Sequence, residues 1–225
     1  GLQLGWRATF WAVAVIGVLA TAAVALWVPA AAGAAPPVPW RQEVRVLARG
    51  QVLLALAMTV MGYAGVFAVF TYIQPLLVQV TGFAQAAVSP VLLVFGVGMI
   101  VGNLLGGRLA DRRPTATLLG TLAALVVVLG AMGLVLHSKP AMIAFVGLLG
   151  VAAFATVAPL QLRVLEHAHG AGQNLASSLN IAAFNLGNAL GAWLGGVVIA
   201  SGAGLVATPW VAAVLTALGL GIALW

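Results

Sequence analysis

Cysteine is absent from this 225-residue chain, so no disulfide framework, thiolate nucleophile or Cys-based metal site can form. Charge is nearly as scarce. Asp, Glu, Lys and Arg together make up 5% of the sequence, too few to cover the surface of a soluble domain of this size. The only acids are Glu43, Asp111 and Glu166, and the three histidines are His137, His167 and His169. All six sit in or beside polar clusters, so no Asp, Glu, Lys or Arg lies near the middle of a long apolar run. This excludes an intramembrane enzyme, which needs a carboxylate, a His or a nucleophile–base set at depth. It also leaves the chain without the buried ionisable group that a proton relay needs. A channel is disfavoured because there is no filter loop and no charged ring.

What is present is apolar sequence: 64% of the residues, with a mean hydropathy of +1.18. A helix needs about 20 apolar residues to cross the hydrocarbon core. Seven runs qualify, over 8–28, 50–76, 89–107, 115–136, 140–162, 173–199 and 205–225. Each must be a helix, because a lipid-exposed backbone has to satisfy its own hydrogen bonds. A transmembrane β-barrel would show short alternating segments, and stretches such as 122–129 do not alternate. The expected fold class is an all-α polytopic membrane protein with about seven transmembrane helices.

The net charge of +6 encodes topology rather than a nucleic-acid groove. Successive loops alternate sides. Arg41, Arg45, Arg49, Arg108, Arg112, Arg113 and Arg163 fall on one side, Arg7 and Lys139 on the other. The positive-inside rule assigns the first set, with loops 30–48, 108–114 and 163–172, to the cytoplasm. Trp6, Trp11, Trp27, Trp40, Trp210 and Trp225 lie near span ends, as an aromatic belt requires, and Trp193 alone is mid-span.

Composition breaks once, at the linker after the first span. Its Ala/Gly/Pro-rich part, 29–39, reads as flexible. In its second part, helical spacing puts Trp40, Val44 and Leu47 on one face and Arg41, Arg45 and Arg49 opposite. That suits a short interfacial helix near anionic lipid, or a charged extension of the second span. The expected domains are therefore a leading span (1–29), a linker (30–48) and a six-span bundle (49–225). Short loops within the bundle imply adjacent antiparallel helices. Ser89-Pro90, Ser138-Lys139-Pro140 and Thr208-Pro209 each place a capping hydroxyl beside a first-turn proline.

Three patterns carry the candidate function. Gly98, Gly102 and Gly106 recur every four residues, as do Gly187, Gly191 and Gly195, the spacing that lets two helices approach closely. In the second span Thr59, Tyr63, Phe67, Phe70 and Gln74 share an arc, with Pro75 expected to break the helix at its outer end. Polar tips among aromatics suit a cavity for a partly apolar solute, and they also suit packing. In the sixth span Ser177, Asn180, Phe184, Asn188 and Gly191 share one face and Asn174, Ser178 and Asn185 the next. Amides at this depth either line a cavity or bond helices together. Thr156, Pro159 and Gln161 suit a bend and gate. Asp111, read as preceding a helix start among Arg108, Arg112 and Arg113, suits a conformational latch or an ordinary basic loop. Glu166-His167-x-His169 reads as solvated loop polarity rather than a metal site.

Gly107-Arg108-Leu109-Ala110-Asp111-Arg112-Arg113 resembles the loop motif of the major facilitator superfamily, in its second-half copy; Pro114 departs from the glycine and basic residues that often follow. The run from Asn174 to Gly196 resembles efflux permeases of the drug/proton antiporter type, in an arabinose-efflux-permease-like branch, and Gly5-Trp6-Arg7-Ala8-Thr9-Phe10 is similar to the entry to that family's sixth helix. The resemblance covers essentially the whole chain. It implies that 1–29 is the last helix of a missing N-terminal half and that 49–225 is the C-terminal six-helix bundle. It further implies a secondary active transporter, an efflux permease moving a small organic solute such as a drug or sugar across the bacterial inner membrane by proton antiport and alternating access. The alternative is a transporter-fold protein with a sensory or assembly role. The substrate cavity is expected at Thr59, Tyr63, Phe70, Gln74, Asn180, Phe184 and Asn188, and the latch at Gly107, Arg108, Asp111 and Arg112. Expected partners are a small-molecule solute, the lipid bilayer and the missing N-terminal half, with no nucleic acid. A monomer is expected, with no catalytic residues, metal or cofactor beyond a proton gradient.

Overall fold

A computed structural model describes residues 5–27, 49–168 and 172–225. All regular structure among them is helical. Seven segments are long and apolar enough to span a membrane. The chain divides into two compact units, 1–38 and 39–225. The first contains α1 (Gly5–Trp27). The predicted interfacial helix over 40–47, with Arg41, Glu43 and Arg45, and His169 of the His-containing triplet lie outside the described residues.

The second unit contains α2 (Gly50–Phe70), α3 (Gln85–Arg112), α4 (Pro114–Leu134), α5 (Lys139–Ala155), α6 (Val157–Ala168), α7 (Gln173–Val198) and α8 (Thr208–Ala223). Together α5 and α6 make one broken span, Lys139–Ala168. Helix α2 ends at a turn over Thr71 and Tyr72, ahead of Pro75. The proline has no N–H for the Thr71 carbonyl, so the disruption falls four residues upstream of the ring. A wide π-type turn follows over Leu76–Val80, and a second, Ile199–Ala203, extends α7.

Several boundaries differ from the predicted ones. Helix α3 starts at Gln85, so Pro90 lies inside it and Ser89 is no cap. Ser138 does occupy the N-cap of α5, with Pro140 in the first turn, but its hydroxyl makes no capping bond. Thr208 is the first residue of α8, and its Oγ1 donates to the Leu205 carbonyl (2.8 Å). Helix α3 continues through Arg112, so the stretch read as a connection after Gly102 is helical and only Arg113 separates α3 from α4. Likewise α6 runs to Ala168, which places Arg163 and Glu166 on a helix rather than in a loop.

The expectation of neighbouring antiparallel pairs gives an incomplete picture. The most extensive contacts are α2 with α7 and α3 with α5, neither pair consecutive in the chain. Both pairs are parallel, because their contacts advance together. Gly98, Gly102 and Gly106 of α3 lie against Gly147, Val151 and Ala155 of α5. Gly187, Gly191 and Gly195 of α7 lie against Val60, Ala64 and Ala68 of α2. Each glycine meets a backbone carbonyl where a Cβ would stand. Lipid tails are as apolar as leucine, so helices associate through such close contact rather than through hydrophobic exclusion. Helix α8 then packs on α2 and α4, with Gly65 against Ala212 and Thr216. Thr216 is fully buried and its Oγ1 has no hydrogen-bond partner among the described residues. It faces the Gly65 Cα instead, the arrangement of a weak Cα–H···O contact. Leu122, Leu125, Leu129 and Met132 of α4 are fully buried and carry the apolar filling on that side.

Candidate solute-facing site

Amides and hydroxyls predicted on one face of α7 do meet the α2 stripe. Thr59 Oγ1 donates to Asn180 Oδ1 (2.8 Å), with the Ala55 carbonyl at 3.2 Å as a second acceptor. Asn180 Nδ2 donates to Gln161 Oε1 (2.7 Å), and Gln161 Nε2 donates to Ser177 Oγ (2.8 Å). This chain ties α2, α7 and α6 together. Thr59 and Asn180 expose no surface, while Gln161 and Ser177 are half-buried. Each such bond contributes about 0.6 kcal/mol in a membrane. A buried amide deprived of its partner costs more than that, so the network's main effect is to fix one arrangement of the three helices.

One helical turn further along α2, Tyr63 packs edge-on against Phe184 (centroids 4.4 Å apart, planes at 79°). Its hydroxyl points at the Ala153 carbonyl at 3.5 Å. That carbonyl also accepts from Thr156 Oγ1 (2.6 Å) and the Thr156 N–H (3.4 Å). Thr156 is the break between α5 and α6. Pro159 lacks the N–H that the Ala155 carbonyl would need, and Gly106 of α3 lets the Ala155 backbone approach.

The aromatic series continues through Phe67 and Phe70 (5.9 Å), Phe70 stacked on Phe95 (4.4 Å, 26°), and Phe95 edge-on to Phe154 (6.3 Å). It crosses from α2 to α3 to α5. Phe95 and Phe154 do not stand out in the sequence, because a single aromatic in an apolar run has no period to mark it. Gln74 lies beyond the turn that ends α2 and is exposed. Asn188 is half-buried, and its Oδ1 is enclosed with no hydrogen-bond partner among the described residues. On the adjacent face of α7, Asn185 Nδ2 returns to the Ile181 carbonyl (2.9 Å) and Ser178 Oγ to the Asn174 carbonyl (3.0 Å).

At the far end of α3, Arg108, Asp111 and Arg112 are exposed and Gly107 is half-buried. Asp111 occupies the last turn of α3, as its penultimate residue, whereas the sequence reading set it only ahead of α4. No ion pair joins it to Arg108, Arg112 or Arg113 among the described residues. Side chains leaving a helix end radially into solvent gain little from such pairing. Nearby, Arg163 and Glu166 sit 3.9 Å apart, and Arg49 Nη1 donates to the His167 carbonyl (3.3 Å), joining the start of α2 to the end of α6. The described residues contain no cluster of three His or acidic side chains able to hold a metal.

Seven apolar helices, two glycine-meshed parallel pairs and interior amides satisfied between helices define a multi-pass helical membrane protein of transporter type. The family profile of the Major Facilitator Superfamily matches residues 1–176, and the chain belongs to that family. It is 42% identical over 221 residues to the inner membrane transport protein YdhP of Escherichia coli (strain K12), covering 98% of this chain and 56% of that protein. It is 32% identical over 204 residues to the putative transporter AraJ of Escherichia coli (strain K12), covering 89% of this chain and 50% of that protein. It is 34% identical over 226 residues to the chloramphenicol resistance protein of Streptomyces lividans, covering 99% of this chain and 57% of that protein. The chain spans about half the length of the curated relatives it matches.

Proposed function

We propose that this chain forms the last helix of the first half and all of the second half of a secondary active efflux permease. The whole protein moves a small organic solute across the bacterial inner membrane by alternating access, driven by proton antiport. The observation that carries the reading is the polar and aromatic seam between α2 and α7, Thr59–Asn180 followed by Tyr63–Phe184, in a chain of this family. Two relatives support the direction and the membrane: one is named for chloramphenicol resistance, another as an inner membrane transport protein. In this reading Tyr63, Phe70, Gln74, Phe184 and Asn188 face the solute. Thr59 and Asn180 form the floor, held by Gln161.

No span of this chain holds a carboxylate at depth, so the proton-coupling group belongs to the other half. The ends at 108–114, with three arginines, and at 163–172, with Arg163, face the cytoplasm. Asp111 and Arg112 pair across the two halves in one conformation and part in the other. The protein works as a monomer, and its polar network serves neither a nucleic acid nor a metal.

The test is efflux of a solute panel, including chloramphenicol, from cells expressing the full-length protein, with and without a protonophore. Expected is lowered accumulation of at least one solute, restored by the protonophore. Accumulation unchanged across the panel, with the protein present in the membrane, would refute the proposal.

A further inference from the structure

The cytoplasmic-motif end of α3 and the first three turns of α4 enclose a groove of about 630 Å³. Its walls are Leu109 from α3 and Ala116, Gly120 and Ala124 from α4, and its mouth carries Arg112 and Arg113. The three small α4 residues are four apart, so they form one shallow trough along the helix. Both arginines are exposed, and neither pairs with a carboxylate among the described residues. Thr117 also lines the groove. The residue is only 8% exposed.

These features have a polarity. Positive charge and the N-terminal first turn of α4 lie at one end, with Thr117 beside them, while an apolar trough runs away from them along the span. Asp111, exposed at the same end, opposes an anion there but does not line the groove. From this arrangement we infer that the α3–α4 groove is a binding site for one anionic phospholipid. The phosphate sits between Arg112 and Arg113, and one acyl chain lies in the Ala116–Gly120–Ala124 trough. Charge complementarity selects the occupant. In the conformation in which Arg112 is parted from the other half, a zwitterionic lipid matches the trough but leaves two guanidiniums uncompensated, and free phosphate matches the arginines but leaves the trough empty.

Gly120 makes the inference testable without unfolding the protein. A Cβ there meets nothing within 4 Å, so a larger side chain fills the trough rather than displacing a helix. The experiment is native mass spectrometry of the full-length protein in detergent, titrated with dioleoyl phosphatidylglycerol, dioleoyl phosphatidylcholine or inorganic phosphate. Wild-type protein is expected to retain phosphatidylglycerol in preference to phosphatidylcholine, and phosphate should not displace it. Arg112→Gln and Arg113→Gln should each weaken phosphatidylglycerol about fivefold, the equivalent of about 1 kcal/mol per basic residue near anionic lipid. Gly120→Leu should weaken it about tenfold, by excluding about two methylenes at about 0.8 kcal/mol each. Arg163→Gln, an equal charge change on α6, should leave retention unchanged. Equal retention of the two lipids by wild type, full retention in Gly120→Leu, displacement by phosphate, or an equal loss in Arg163→Gln would each overturn the site.

Discussion

Replacing Gly102 by alanine adds one methyl group, and the structure gives that methyl no room. The new Cβ would overlap the Val151 carbonyl oxygen and lie 2.9 Å from both the Val151 carbonyl carbon and Cα, whereas ordinary contact begins near 3.4 Å. These are backbone atoms that no rotamer change can move, so α3 and α5 must part by half an ångström or more. Overpacking of this kind costs about 1–3 kcal/mol. Opposing it is the helix preference of alanine over glycine, at most about 1 kcal/mol. Gly96 on α3 and Gly120 on α4 separate the two effects, because a Cβ at either position meets nothing within 4 Å. There the preference for alanine acts alone, and the change should be neutral or stabilising. In chains of this size 1 kcal/mol moves a melting temperature by about 2–4 °C. Fluorescence-detected thermal unfolding of the purified full-length protein should therefore place Gly102→Ala several degrees below wild type, with Gly96→Ala and Gly120→Ala at or above it. Gly191→Ala, whose Cβ would overlap the Ala64 carbonyl of α2, should behave like Gly102→Ala. A Gly102→Ala protein that melts with the Gly96→Ala control would refute the argument from close backbone contact.

Thr59→Val keeps the shape of the side chain but leaves Asn180 Oδ1 without its donor, and should destabilise by about 1–2 kcal/mol in the same assay; no change would mean the network is not formed. Asp111→Asn should lower the transport rate while solute affinity stays near wild type, measured by efflux kinetics and equilibrium binding together; a loss of binding with normal kinetics would remove the latch. A single cysteine placed at Ser138, in a background free of other cysteines as residues 1–225 already are, should react with an impermeant thiol reagent in intact cells, and one at Arg112 should not; the reverse pattern would invert the topology.

The spans were legible in the sequence because a membrane imposes one length and one secondary structure, and apolar runs report both. Both glycine ridges were legible for the same reason: a period of four needs no partner to be seen. Which helix each ridge meets was not. Val60, Ala64 and Ala68, or Gly147, Val151 and Ala155, have no feature that separates them from other apolar positions until Gly191 or Gly102 is set against them. The helix ends differ from those that proline suggests. Pro90 sits inside α3, and the effect of Pro75 appears upstream at Thr71 and Tyr72. For the face of α7, the sequence leaves two fates open, cavity or glue. Composition cannot separate them, because an amide satisfied by Gln161 and one satisfied by solute look alike in a sequence.

The two glycine seams also limit how the bundle can deform. Along each, contacts repeat every four residues, about 6 Å of helix axis. Sliding α7 along α2 by half that distance would drive the bulk of Ala64 or Tyr63 into the larger neighbours that separate the glycines. The seams therefore have only one resting register within reach, and each pair behaves as a single stiff beam. Freedom is left where such teeth are missing: at Thr156, where α5 gives way to α6, and between the beams, where rings such as Phe70 and Phe95 can roll over each other. A load applied at one end of this structure is carried to the other by leverage, with little lost to slippage on the way.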